Sequence, residues 1–500
     1  MDKKFYITTP IYYPSGKFHI GTAYTTIMAD VIARYYRLNN YDVRFLTGLD
    51  EHGQKIQINA SEKGITPQEY VDIKAKDAME LWKKLNISNN DFIRTTELRH
   101  IETVKKVFNK LYENGDIYKS EYSGEYCIPC ESFFTPSQII DGKCPTCGRE
   151  LKEIKEETYF FNMKKYEKKL IEFYEQNPKF LKPESKKNEI MNSFIKDGLE
   201  DLCISRTTFD WGIKVPIDEK HVIYVWLDAL INYISSLGFL SDDEKLFNEY
   251  WPANVQIIGK DILRFHAIYW PIFLMALDIA LPQKMYVHDF IMMKNDKMSK
   301  SKGNVMYPDV IADKYGVDSL RYYMISNGPE KKDVNMSEED LILGHNKFLV
   351  GILGNFVNRN LSFIKKKFDS IVKEANLDEK IIDETKNTYA KIGELIENGD
   401  LKSATDEIIE YISLGNKYYD ENETWNLAKE NIDKFNDVTW TCVYIMANIS
   451  NLIAPFMPET SQKINKILGI KNNEWKETIL LGDLVINELP LLFQRIEKSE

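Results

Sequence analysis

The chain has 500 residues, 43% hydrophobic and 28% charged, ample for a large core and for about two to four domains. Its net charge of −11 argues against a partner held by overall positive charge, leaving nucleic-acid binding to local patches. No signal or transit pattern opens the chain and no unbroken apolar run is long enough to cross a bilayer, so secreted and membrane-spanning classes are set aside and a cytoplasmic protein is expected.

Phe5-Tyr6-Ile7 reads as a first strand, broken by Pro10, Pro14 and Gly16. His19-Ile20-Gly21-Thr22 comes next. A helical pattern then runs to about Asn39, with Ala23, Ile27, Val31 and Tyr35 near helical spacing. A histidine and a glycine thus stand where a strand gives way to a helix N-terminus. Exposed N–H groups and the helix dipole favour an anion there, and glycine lets it approach closely. An ordinary strand-to-helix turn with a solvent-facing histidine is the alternative.

A second strand, Tyr41 to Leu46, ends in Thr47-Gly48-Leu49-Asp50-Glu51-His52-Gly53. Functional groups gather at the carboxyl ends of parallel strands, so Asp50 and His52 are expected to face the crevice bordered by His19. Helices are expected over Pro67 to Leu85 and Leu98 to Asn114.

From about 116 to 217 the composition changes, which reads as an insertion between two halves of a sheet. It holds Cys127-Ile-Pro-Cys130 and Cys144-Pro-Thr-Cys147, four of the six cysteines. Two such pairs supply four thiolates for a tetrahedral zinc, with no open position, so the metal is structural. Cys203 and Cys442 stand alone and read as core residues.

The α/β pattern resumes with a strand-like His221 to Trp226 and a helix after it. Val255 to Gly259 reads as a buried strand, and Met285 to Met293 as another. Lys297-Met298-Ser299-Lys300-Ser301-Lys302-Gly303-Asn304 then clusters lysines on a loop, suited to neutralising a polyphosphate or to a solvated charge run. Paired with the histidine–glycine turn, the phosphate reading prevails. Beyond about Asn335 the pattern is helical, with stretches near 384–399, 403–419 and 436–454.

His19-Ile20-Gly21-Thr22 and Lys297-Met298-Ser299-Lys300-Ser301 resemble the two signatures of class I aminoacyl-tRNA synthetases. TTPIYYPSGKFHIG, TGLDEHGQKIQ, ISNNDFIRTTE, YVWLDALINYISSLG and KMSKSKGNV resemble, in order, the methionyl-tRNA synthetase family, and the resemblance covers essentially the whole chain. It implies an α/β fold: a Rossmann-type parallel sheet with a zinc-knuckle insertion, followed by an all-α helical bundle. The implied division is a first half of the nucleotide-binding domain over 1–115, the insertion over 116–217, the second half over 218–293, a loop and stem-contact region over 294–340, and an anticodon-binding domain over 341–500.

The implied reaction joins methionine to ATP as methionyl-adenylate, releases pyrophosphate, and transfers methionine to the 3′ end of tRNA(Met), with Mg2+ accompanying ATP. Asp50 is implied to pair with the substrate ammonium, Ile11 and Tyr13 to line the pocket near the substrate backbone, and Trp226, Ala229, Leu230, Tyr233 and His266 to surround the side chain. Aromatic rings suit a thioether. Without the resemblance, Trp226 and Tyr233 would read as core packing. Gly259 is implied to leave room for the nucleotide, Asp261 to touch its ribose, and His19, Gly21, Thr22, Lys297 and Lys300 to handle the phosphates.

In the tail, Asn355 and Arg359 share a helix face and Trp425 matches a base-stacking tryptophan, the implied anticodon contacts. Cys127, Cys130, Cys144 and Cys147 are the implied zinc ligands, one ion per chain. A monomer is expected, since no appended dimer-forming module comes after Leu492 to Ile496.

One departure stands out. The family's first signature ends in a second histidine, and Thr22 holds that place. Threonine donates one hydrogen bond and carries no charge. The loss of that charge leaves two readings of the adenylation step, a slow one or one in which the Thr22 hydroxyl or an ordered water compensates, and a synthetase-like protein binding tRNA or methionine with weak catalysis is the competing function.

Overall fold

The computed structural model describes residues 3–128, 132–134, 139, 141–145, 147–196, 198–293, 296–297, 305–471, 474–486 and 488–497, with backbone alone at 122–123, 132–134, 154–156 and 296–297. The opening strand β1 (Lys3–Tyr12) is buried from Phe5 to Pro10. Phe5 and Ile7 pack into one cluster and Tyr6 into another, as expected of a strand covered on both faces.

After β1 the chain forms α1 (Ile20–Leu38), β2 (Tyr41–Leu49), β3 (Asp91–Arg94) and α2 (Leu98–Glu113). Next come two long antiparallel strands, β4 (Ile117–Cys127) and β5 (Lys152–Phe161), paired from Ile117↔Phe161 to Tyr126↔Lys152. β4 carries Cys127 to its far end. A short β6 (Leu181–Lys182) then returns to the central sheet, inside the stretch expected to lie wholly in the insertion. At two residues it is too short to leave a periodic signal.

The second half supplies α3 (Val225–Leu230), β7 (Val255–Gly259), β8 (Met285–His288), β9 (Ile291–Met293) and β10 (Asp296–Lys297). Trp226 therefore sits on a helix, not on the strand expected over His221 to Trp226. That strand spans Asp218–Ile223. Its buried apolar end runs straight into the apolar first turn of α3, which erases the boundary in the sequence.

The central sheet is six-stranded, in the order β3-β2-β1-β7-β8-β6, and every pairing is parallel. The order runs outward in opposite directions from β1 and β7. Ligands bind such sheets in the crevice beyond the carboxyl ends at that switch point.

Helices α4 (Pro308–Tyr315) and α5 (Val317–Ser326) lead to a helical region. It holds α6 (Asn355–Lys367), α7 (Glu379–Glu397), α8 (Leu401–Glu421), α9 (Thr424–Glu430), α10 (Ile432–Ile453) and α11 (Pro458–Leu468). One apolar cluster runs from Ile7 and Ile27 through Leu320 to Met446 and Leu468. Helix α1 is buried nearly all round because the sheet covers one face and the helical region the other. Among the described residues no helix is long and apolar enough to cross a membrane.

Candidate active site

The turn between β1 and α1 opens onto the switch point. His19 is the N-cap of α1, and its Nδ1 accepts the Gly21 N–H at 3.0 Å. That puts the neutral ring's proton on Nε2, the nitrogen able to donate to a phosphate. No acidic residue stands in the first turn of α1, so the positive end of its dipole is not neutralised there. Gly21 and Thr22 are half-buried in that turn. Among the described residues the Thr22 hydroxyl has no hydrogen-bond partner. The Thr22 carbonyl accepts from Thr26 Oγ1, which also meets the Tyr12 hydroxyl at 2.8 Å.

The chain on either side of the lysine-rich stretch is held in place, and on its far side it meets this turn. Met292 and Lys297 pair in the β9–β10 hairpin. On the far side, Met306 O accepts the Ile20 N–H at 3.0 Å, and Lys17 reaches Asp309 at 2.6 Å. Lys300 lies outside the described residues, as does the side chain of Lys297.

At the end of β7, a Cβ on Gly259 would stand 2.7 Å from Asp261 Oδ1. The space that glycine leaves is thus taken up by Asp261, which folds back over the strand end. On the neighbouring β8, His288 Nε2 meets Thr25 Oγ1 at 2.7 Å and joins the sheet to the first turns of α1.

The pocket residues assemble from several elements. Asp50 lies just past β2, is 8% exposed, and donates its backbone N–H to Tyr12 O. Ile11, Trp226, Leu230 and Tyr233 belong to one cluster, with Ala229 buried on α3 beside them. Trp226 is half-buried and stacks on Phe265 with ring centroids 3.7 Å apart. His266 lies in a π-helical stretch, Phe265–Tyr269, a distortion common at functional sites. Its Nδ1 donates to Ile262 O at 3.0 Å, so its Nε2 accepts from the Tyr233 hydroxyl at 2.7 Å. Burial pushes its pKa down to about 4, and the ring is neutral at working pH. Tyr13 packs against the cluster of Ile56 and Tyr70, with Lys55 over its ring.

His52 does not face the crevice. It is buried, and its Nδ1 meets Asp228 Oδ2 at 2.6 Å. Asp228 Oδ1 meets His100 Nε2 at 2.7 Å, and His100 Nδ1 meets Ser235 Oγ at 2.8 Å. Burial alone would raise the Asp228 carboxyl, but His52 and His100 outweigh it and hold it below the usual range. Beside it, Glu51 accepts from Arg94 at 2.8 Å and from Thr96, yet burial still leaves its carboxyl raised. Asp228 and His100 carry no local sequence signal. The only hint is a carboxylate inside the apolar run Val225 to Leu230, which requires a buried partner.

A second surface forms on the helical region. Asn355 and Arg359 on α6 face α8: Asn355 Nδ2 donates to Asn416 Oδ1 at 3.3 Å, and Arg359 pairs with Asp420 at 2.7 Å and lies over the Tyr419 ring. Trp425 is 44% exposed, 6.0 Å from Tyr419 between ring centroids. Thr424 is buried, and its hydroxyl ties the start of α9 back to Tyr419 O.

The insertion holds a thiol cluster. The Sγ atoms of Cys127, Cys144 and Cys147 lie within 4.8 Å of one another, with Cys127 and Cys147 3.5 Å apart. Thiolates about 2.3 Å from one tetrahedral ion would stand ~3.8 Å apart, so the donors fit a metal such as zinc. Gly148, at φ +70°, closes the knuckle by donating to Cys144 O. Cys130 lies outside the described residues.

A family model for class I tRNA synthetases (M) matches residues 5–153 and 150–361, and one for the anticodon binding domain of methionyl tRNA ligase matches 371–488. The chain is 50% identical over 482 residues to a methionine–tRNA ligase of Clostridium tetani, covering 95% of this chain and 75% of that protein. It is 46% identical over 523 residues to that of Bacillus subtilis, covering 100% and 79%. Among solved structures, Mycobacterium tuberculosis methionyl-tRNA synthetase in complex with methionyl-adenylate superimposes with a TM-score of 0.93 at 36% identity, covering 99% of this chain and 100% of that one. The free-state form of that enzyme gives 0.88 at 33% identity, covering 100% and 99%.

Proposed function

The chain belongs to the methionine–tRNA ligase family of class I tRNA synthetases, and on that premise we propose how its residues divide the work. The enzyme forms methionyl-adenylate from methionine and ATP and passes methionine to tRNA. One observation carries the assignment. The Ile20 N–H reaches Met306 O, so the turn with His19 at the switch point touches the chain just beyond the Lys297–Asn304 stretch, which supports a phosphate site shared by the two.

In this reading Asp50 holds the methionine ammonium, and Trp226, Ala229, Leu230, Tyr233 and His266 enclose the thioether. Neutral His266 suits an uncharged side chain. Tyr13 lines the pocket with Ile11 near the methionine backbone, packed on its other contacts against Ile56 and Tyr70. Gly259 and Asp261 receive the ATP ribose. The open end of α1, with His19, Gly21 and Thr22, receives the phosphates, and Lys297 and Lys300 close over them. ATP arrives with Mg2+, which neutralises part of its charge. The methionine carboxylate attacks the α-phosphorus as pyrophosphate leaves. The protein supplies alignment and fixed positive charge and forms no covalent bond to substrate.

Cys127, Cys130, Cys144 and Cys147 would hold one zinc, which would fix the tip of β4 and β5. Asn355, Arg359 and Trp425 would read the anticodon of tRNA(Met), the tryptophan stacking an unpaired base. Base stacking is worth about 1–3 kcal/mol, so Arg359→Ala and Trp425→Ala should each lower tRNA charging about tenfold while leaving methionine-dependent ATP–pyrophosphate exchange within about twofold. Equal losses in both assays would overturn this division.

A further inference from the structure

We propose that Asp228 is a positioning residue that sets the span of the methionine pocket, by locking the turn that carries Asp50 to the helix that carries Trp226, Ala229 and Leu230. The proposal rests on the pocket reading above.

Asp228 lies on α3, between the pocket residues Trp226 and Ala229, and its side chain is 1% exposed. Each of its oxygens takes one imidazole N–H. The first comes from His52, two residues beyond Asp50, and the second from His100 on α2. His100 then reaches Ser235, just beyond Tyr233, so one ring grips the pocket segment at two points. The Asp50 turn is gripped from its other side as well. Gly53 N–H donates to Trp211 O, Trp211 Nε1 donates to Glu51 O at 2.6 Å, and the indole meets the His52 ring edge-on. The turn is thus held between the insertion and α3, and Asp228 is its link to the pocket wall.

A buried carboxylate with two imidazoles is a costly way to fill space. Apolar residues of like volume often pack as well or better, while removing one partner is strongly destabilising. What the charged arrangement adds is direction: two oxygens, fixed by two rings, leave α3 one orientation relative to Asp50. The pocket needs such a setting. Methionine and homocysteine differ by one methyl, worth only about 10- to 200-fold in a pocket of fixed shape, and less if its walls can drift apart.

Asn at 228 keeps one acceptor but turns an N–H2 toward the other imidazole. Asp228→Asn is expected to raise the KM for methionine in ATP–pyrophosphate exchange about tenfold, with the KM for ATP and kcat within about twofold, the pattern of lost ground-state positioning. The homocysteine-to-methionine ratio of kcat/KM should rise with it. His52 donates through Nδ1, which an asparagine amide can mimic. His52→Leu should therefore reproduce the methionine defect and His52→Asn should recover most of it.

The proposal is overturned if Asp228→Asn lowers thermal stability without moving the methionine KM, or if methionine and ATP parameters change together. Should that variant not fold, the two His52 variants decide. Asp50→Asn separates the two layers. If it leaves the methionine KM unmoved, the pocket reading fails and the proposal with it. If it raises that KM while Asp228→Asn does not, the proposal alone fails.

Discussion

Thr22 holds the place where the resemblance leads one to expect a second histidine. It stands in the first turn of α1, half-buried, with a hydroxyl that meets no partner among the described residues. That hydroxyl can donate one hydrogen bond toward a phosphate, where an imidazolium would bring a charge as well. A fully aligned donor to developing phosphate charge is worth ~2.7–4 kcal/mol, which bounds the gain from restoring one. Thr22→His is expected to speed ATP–pyrophosphate exchange. An unchanged or lower rate would show a turn adapted to threonine. His19, Gly21 and Asp50 were legible because each sits at a local break between a strand and the next element of the chain. The turn of His52 toward Asp228 was not. Its partner is far away in the chain, and periodicity assigns a residue to a face without saying what it meets there.

At the scale of elements, the joint between sheet and helical region depends on Arg321 of α5. It is fully buried, and it donates to Asp30 of α1 at 2.7 Å and to the carbonyls of Leu85, Pro455 and Phe456. Burial would raise the Asp30 carboxyl, but Arg321 and Arg34 together hold it below its usual range. Arg321→Met leaves Asp30 with Arg34 and Ser88 and strips three carbonyls of their donor. A loss of about 3–5 kcal/mol in urea unfolding is expected, as for breaking a buried pair. A loss below about 1 kcal/mol would contradict this role.

The turn between α7 and α8 docks in the same spirit. Tyr286 and Lys284 donate to Glu397 O at the end of α7, Lys182 to Asn398 O, and Glu330 accepts the Lys402 N–H at the start of α8. Helix ends leave such groups unsatisfied, and here the sheet and its flanks supply the partners. Helices and strands of ordinary length were legible from spacing. The two-residue β6 and the helical placement of Trp226 were not, because one is shorter than any period and the other continues an apolar run.

Across the whole molecule, α1 joins both functions. Its N-terminus opens onto the switch point, and its body shares one apolar cluster with the helical region that carries Asn355, Arg359 and Trp425. The two-part order, α/β then helical, showed in the sequence as a change of period from strand-and-helix alternation to continuous helical spacing. The shared core did not show, since both halves read as separately amphipathic. We propose that the α1 turn, Lys300 and the Trp226–His266 pocket form one site for activating methionine. Amino-acid-dependent ATP–pyrophosphate exchange, run on the purified protein with Mg2+ and each amino acid in turn, tests it most directly. The account predicts exchange with methionine and none above background with leucine, isoleucine, valine or cysteine. Absence of methionine-dependent exchange, or equal exchange with leucine, would contradict it.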